Sequence, residues 1–76
     1  MTKDKALELV KNRLGGVIIR CDEDDPGKSF QITVKPSKYL VTDTLTPEGD
    51  IRIWEVDFER KELTVIVSTP SNLVYE

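Results

Sequence analysis

The chain has 76 residues, a formal net charge of −3 and no histidine, so its field disfavours nucleic acid and anionic membrane, both of which reward a lysine and arginine surplus. Hydrophobic residues make up 38% and charged residues 33%; because the apolar ones fall in periodic runs, a single folded domain over residues 1–76 is expected rather than a disordered chain. A domain of this size removes only roughly 60% of its unfolded surface from water, and the single cysteine, Cys21, offers no internal disulfide to compensate.

Residues 2–14 carry the pattern of an amphipathic helix, with Leu7, Val10 and Leu14 at i, i+3 and i+7, Ala6 beside them and Leu9 at the edge of the stripe. Thr2 suits the N-cap, Asp4 complements the positive N-terminal dipole, and Lys11 and Arg13 complement the other end. Gly15 stops the helix and Gly16 adds a second flexible step. These first residues contain no apolar run of signal-peptide length and the chain has no stretch of transmembrane length, so the expected location is the cytoplasm, with no membrane partner.

Residues 17–22 and 29–35 read as two strands. In the first, Val17, Ile19 and Cys21 alternate onto one face and Ile18 points the other way, which makes Cys21 a small buried hydrophobe rather than a reactive thiol. In the second, Phe30, Ile32 and Val34 form the apolar face. Asp25, Pro26, Gly27 and Lys28 between them suit a type II turn, with Pro at the position of φ near −65° and Gly where φ is positive. Pro36 then interrupts the ladder. Residues 38–45 are expected to form a third strand on the strength of Tyr39, Val41, Thr42 and Thr44, with a single helical turn after Ser37 as the alternative. Thr46, Pro47, Glu48 and Gly49 make a second turn.

Residues 51–67 read as a β-hairpin whose turn is the polar group 59–62. In that register Phe58 faces Leu63, Val56 faces Val65 and Trp54 faces Val67, so Trp54, Val56 and Phe58 are expected in the core. The absence of Asn or Gly at the turn favours a four-residue loop. Ile51, Ile53 and Ile66 fall on the back of the hairpin. Residues 69–76 form either a frayed tail or an added edge strand, with Leu73 and Val74 available to fold back. The expected class is α+β, one N-terminal helix packed across one face of a four- to five-stranded antiparallel sheet.

The order of helix, Gly-Gly, strand, acidic turn and strand, with the later V-D-x-x-x-x-x-L stretch from Val56 to Leu63, resembles the layout of PepSY domains. The resemblance implies a cystatin-like helix on an antiparallel sheet, and a role in protease inhibition or envelope protein interactions. Arg60 and Lys61 stand where that family has a glycine, so only the architecture is carried over.

Chemistry finds few footholds. The acidic tip Asp22, Glu23, Asp24 and Asp25 starts like an EF-hand loop, with Gly27 at its sixth position, but Pro26 stands at the fifth and Thr33 where a bidentate Glu belongs. One Cys and no His exclude a structural zinc site. No G-x-S-x-G elbow and no phosphate-binding G-x-x-x-x-G-K-[ST] loop occurs. The expectation is a non-catalytic protein-interaction module without cofactor, metal, small-molecule substrate or direct nucleic-acid contact. Its interface is expected at Ile18, Ile51, Ile53 and Ile66, on the face turned away from the helix, with a second copy of the chain among the candidate partners. The alternative is an acidic inhibitor or nucleic-acid mimic, of phage or mobile-element type, that covers a basic surface of another protein through the acidic tip.

Overall fold

In the computed structural model, residues 2–38, 44–45 and 49–69 are described. Helix α1 (Lys3–Leu14) begins where Thr2, in extended conformation, accepts the backbone N–H of Lys5 on its hydroxyl at 3.2 Å. It ends at Gly15, whose φ of 67° lies in the left-handed region and whose N–H returns to the carbonyl of Lys11. The last helical carbonyl, that of Leu14, accepts the N–H groups of both Ser37 and Lys38, at 3.0 and 2.9 Å. The chain leaving the second strand thus satisfies the helix end that would otherwise be left without partners.

Five strands follow: β1 (Val17–Asp25), β2 (Ser29–Lys35), β3 (Thr44–Leu45), β4 (Asp50–Asp57) and β5 (Glu62–Ser68). They form one antiparallel sheet in the order β1-β2-β5-β4-β3. This is the expected α+β architecture. No helix among the described residues is long and apolar enough to cross a membrane. Of the anticipated third strand, Thr44 and Leu45 pair with Ile51 and Asp50, whereas residues 39–43 lie outside the described residues, as do 46–48 of the following turn and everything past Thr69.

The first turn matches expectation. Lys28 N–H donates to the Asp25 carbonyl at 2.8 Å, and Gly27 takes φ +74°, the conformation a type II turn demands at its third residue.

The core lies between α1 and one face of the sheet. It comprises Ala6, Leu9, Val10 and Leu14 from the helix and Phe30, Ile32, Val34, Ile51, Leu63, Val65 and Val67 from the strands. The helical stripe is rotated from the expected one: Leu9 is buried, and Leu7 lies half-buried at its margin. On the sheet the helix-side residues form transverse rows. Ile18, Val34, Leu63 and Val56 make one, Cys21, Ile32, Val65 and Ile53 the next, and Phe30, Val67 and Ile51 belong to a third.

These rows correct the expected facing of β1 and β4. Trp54 and Phe58 are not core residues; they are 65% and 85% exposed, and Val56 is only partly covered. Val17 and Ile19 are exposed as well, while Ile18 packs against the core. The cause is a β-bulge in each strand. In β4 the register shifts between Ile53, opposite Val65, and Glu55, opposite Thr64, leaving Trp54 as the extra residue. In β1 it shifts between Ile18 and Arg20, leaving Ile19 extra, and again near the turn between Glu23 and Asp25, leaving Asp24 extra. One added residue reverses the alternation beyond it, so Ile51 and Ile53 turn toward the helix.

The hairpin loop also moves. It spans residues 58–61, one position earlier than expected, because the carboxylate of Asp57 accepts the N–H groups of Glu59 and Arg60, each at 3.1 Å. Asp57 and Glu62 close the ladder, and Lys61 adopts a φ of 56°. Phe58 therefore sits in the loop rather than opposite Leu63, and Leu63 pairs with Val56.

Candidate functional site

The sheet face opposite α1 is the surface on which the bulges leave their mark. Its residues also lie in rows: Arg20, Thr33, Thr64 and Glu55; then Asp22, Gln31, Ile66 and Arg52; then Asp25, Ser29, Ser68 and Asp50. This face is mainly polar, as a solvated antiparallel face should be. Thr33 and Thr64 join their hydroxyls at 3.0 Å, and Arg20 Nε lies 3.3 Å from the Asp22 carboxylate. That ion pair is well exposed on both sides, so it contributes little stability.

Ile66 and Trp54 interrupt that polar surface at the β4–β5 side. They border a shallow depression together with Asp24, Gln31, Arg52 and Ile53. A second, smaller apolar hollow lies at the far end of the hairpin, between Val56, Phe58 and the loop residue Lys61.

The four isoleucines expected to form one outward patch are not together. Ile51 is 1% exposed inside the core, Ile18 and Ile53 pack half-buried against that core, and Ile66 is the one that the sheet places on the outer face. The patch as anticipated is divided between the two faces by the bulges.

The acidic tip is not a free loop. All four residues belong to β1, which runs to Asp25. Glu23 accepts the Gly27 N–H at 2.8 Å, Asp24 accepts the Ser29 hydroxyl at 3.4 Å, Asp22 meets Arg20, and the Asp25 carbonyl closes the turn. Among the described residues no group of three or more His, Cys, Asp or Glu is arranged to hold a metal ion. Cys21 points toward the core and its thiol is pushed up chiefly by burial; Lys3 opposes this and the charge of Asp22 adds to it. Raising a thiol removes the thiolate that nucleophilic chemistry needs.

Trp54 is the surface residue that alternation alone missed. Its signal lies in the spacing: the apolar residues Ile51, Ile53 and Val56 are separated by two and then three positions, and the inward pair Ile18 and Cys21 by three, and a step of three in a strand is what a bulge produces. No family model matches the chain, so the PepSY layout has no such support, and no curated protein and no solved structure matches it either.

Proposed function

We propose that this chain is a non-catalytic protein-interaction module that binds through Trp54 and Ile66. The observation that carries the reading is the exposed indole at a bulge. Bulges re-aim side chains, and a large aromatic surface left in water is a standing opportunity for burial, worth roughly 25 cal/mol per Å² of apolar area. The surroundings fit a small interface centre. Tryptophan and arginine are the residue types most enriched among contacts that dominate binding energy, and Trp54 and Arg52 border the same depression, with Gln31 and Asp24 at its polar rim. The absence of histidine and the raised, half-buried thiol of Cys21 supply no activated base or nucleophile.

The test is a differential capture using wild type, Trp54→Ala, Ile66→Lys and a helix-surface control, Lys5→Ala. Partners held by wild type and the control should be lost from both face variants and should persist in high salt, because apolar contact is not screened. Identical capture by all four proteins would refute the assignment. Capture that ignores Trp54 but dissolves in salt would instead favour the acidic inhibitor mode.

A further inference from the structure

Among the described residues β1 is an edge strand, with β2 as its neighbour on one side. It is also an accessible strand: Ile18 and Cys21 are half-buried and its other seven residues are exposed. Edge backbone groups are a template for another strand, and the side chains along β1 indicate which strand would fit.

The strand is divided. Its first half carries Val17 and Ile19, which are 63% and 47% exposed, and its second half carries Asp22, Glu23, Asp24 and Asp25. Basic residues collect at the apolar end. Arg13 lies in the last turn of α1, Lys35 is the cross-strand partner of Val17, and Lys38 is tied by its N–H to the Leu14 carbonyl. β1 is therefore self-complementary under a two-fold axis. In an antiparallel pairing whose axis lies between Ile19 and Arg20, Ile18 meets the partner's Cys21 on the helix side and Val17 meets the partner's Asp22 on the other, so that residues opposite each other share a face. The acidic half of each copy then runs past the other's Gly15 and Gly16 toward Arg13, Lys35 and Lys38. A parallel pairing would stack the two acidic halves instead, and like charges across an interface are costly.

We propose that β1 is a homodimerisation edge, joining two copies of this chain antiparallel through Ile18, Ile19, Cys21 and the acid-to-base complement at each end. This goes beyond the Trp54 surface and does not depend on it. Because both copies use the same edge under a two-fold axis, the pairing closes at two copies rather than propagating. A contact of one short strand pair lies at the small end of specific interfaces, and the dimer is accordingly weak and reversible.

Sedimentation velocity from micromolar to millimolar concentration tests it. Wild type should shift from monomer to dimer with rising concentration, and Ile19→Lys, with an unchanged circular dichroism spectrum, should stay monomeric throughout. Lys35→Glu should weaken the dimer about tenfold at low salt by placing like charge against the acidic half. A second check avoids mutational loss of pairing: Ile18→Cys should cross-link to a disulfide dimer through Cys21 of the second copy on mild oxidation, since the two positions meet across the axis, and adding Cys21→Ser should abolish the cross-link. Wild type that remains monomeric at every concentration overturns the proposal. So does a dimer that survives Ile19→Lys, and if that dimer is lost in Trp54→Ala, the Trp54 surface rather than β1 is the site of self-association.

Discussion

Thr33 and Thr64 face each other across the central strand pair with hydroxyls 3.0 Å apart, on the row that the extra residues of β1 and β4 flank, one on each side. Arg20 meets Thr33 immediately after the β1 bulge, and Glu55 meets Thr64 immediately after the β4 bulge. The straight pair β2 and β5 is thus re-phased against β1 just before the threonine row and against β4 just after it, and the threonine pair closes the level between the two shifts from the solvent side. Thr33 is 7% exposed, so removing one hydroxyl leaves the other without its partner in a largely dry position. Thr33→Val and Thr64→Val should each cost about 1 kcal/mol. The double variant should cost less than the sum, because two valines leave no orphaned hydroxyl. A urea-denaturation double-mutant cycle measures this, and strict additivity would show that the two hydroxyls are not coupled.

The inverted facing of β4 is tested by truncating its side chains. Ile51 is 1% exposed and should lose about 2–5 kcal/mol on change to Ala, a large share of the 5–15 kcal/mol that such a domain commands. Trp54→Ala and Phe58→Ala should stay within about 0.5 kcal/mol of wild type. The reverse ranking in thermal or chemical unfolding would restore the arrangement in which Trp54 is core.

Which parts of this fold could be read from the chain follows from where the period of two holds. Phe30, Ile32 and Val34 alternate without interruption, as do Leu63, Val65 and Val67, and all six are buried as the alternation requires. The helix was legible too, through Thr2, Gly15 and the apolar spacing between. Strict alternation misplaces the faces of β1 and β4 because an apolar residue fills the bulge at Ile19 and at Trp54. With Ile19 and Trp54 in place, a rule of alternation has an unbroken but wrong set to follow, and the true set appears only when a step of three is allowed. The hairpin loop was displaced for a different reason. The side chain of Asp57 competes for backbone N–H groups and starts the turn before Phe58. The candidate site inherited these errors, since three of the four isoleucines assigned to it lie on or toward the core.

Two glycines with similar φ should respond differently to a methyl group. At Gly27, φ +74°, a Cβ would meet nothing within 4 Å among the described residues, so Gly27→Ala should cost only the left-handed strain, about 1–2 kcal/mol. At Gly16, φ +78°, the same Cβ would overlap the carbonyl oxygen of Lys35, which is backbone and cannot swing aside. Gly16→Ala should therefore cost clearly more than Gly27→Ala and should loosen the Val17 end of β1. Equal unfolding free energies for the two variants would contradict the close approach of Gly16 to Lys35.

Burial raises the Cys21 thiol, with Asp22 adding to the effect and Lys3 opposing it. Less thiolate at a given pH means slower alkylation, so iodoacetamide should modify folded protein more slowly than the urea-unfolded chain at the same pH. The linkage to stability follows. Between the ordinary thiol range and the raised value the unfolded chain has already lost the proton that the folded chain keeps, so stability falls as pH rises through that window and is complete below it. Cys21→Ala should flatten this alkaline decline without changing its neutral baseline in sign. Alkylation as fast in the folded as in the unfolded state would place the thiol in water.

The most demanding test of the architecture is to remove Trp54 altogether. Deleting a residue from a straight strand reverses every side chain beyond it and should be ruinous. Deletion of Val65 from β5, which pairs with Ile32 and Ile53 at the centre of the sheet, should therefore abolish cooperative unfolding. Trp54 is the extra residue of a bulge, and without it Ile51, Ile53 and Val56 fall at strict intervals of two on the helix side, with Arg52, Glu55 and Asp57 on the other. The deleted chain should fold with its ladder to β5 unbroken from Ile51 to Asp57. Far-ultraviolet circular dichroism and a two-dimensional amide spectrum report on both deletions, since the only tryptophan is gone from one of them. If the Trp54 deletion unfolds the protein as completely as the Val65 deletion does, the bulge is not where the register places it. If it folds but no longer captures the partners of the wild type, the same variant separates the residue's place in the sheet from its proposed role at the surface.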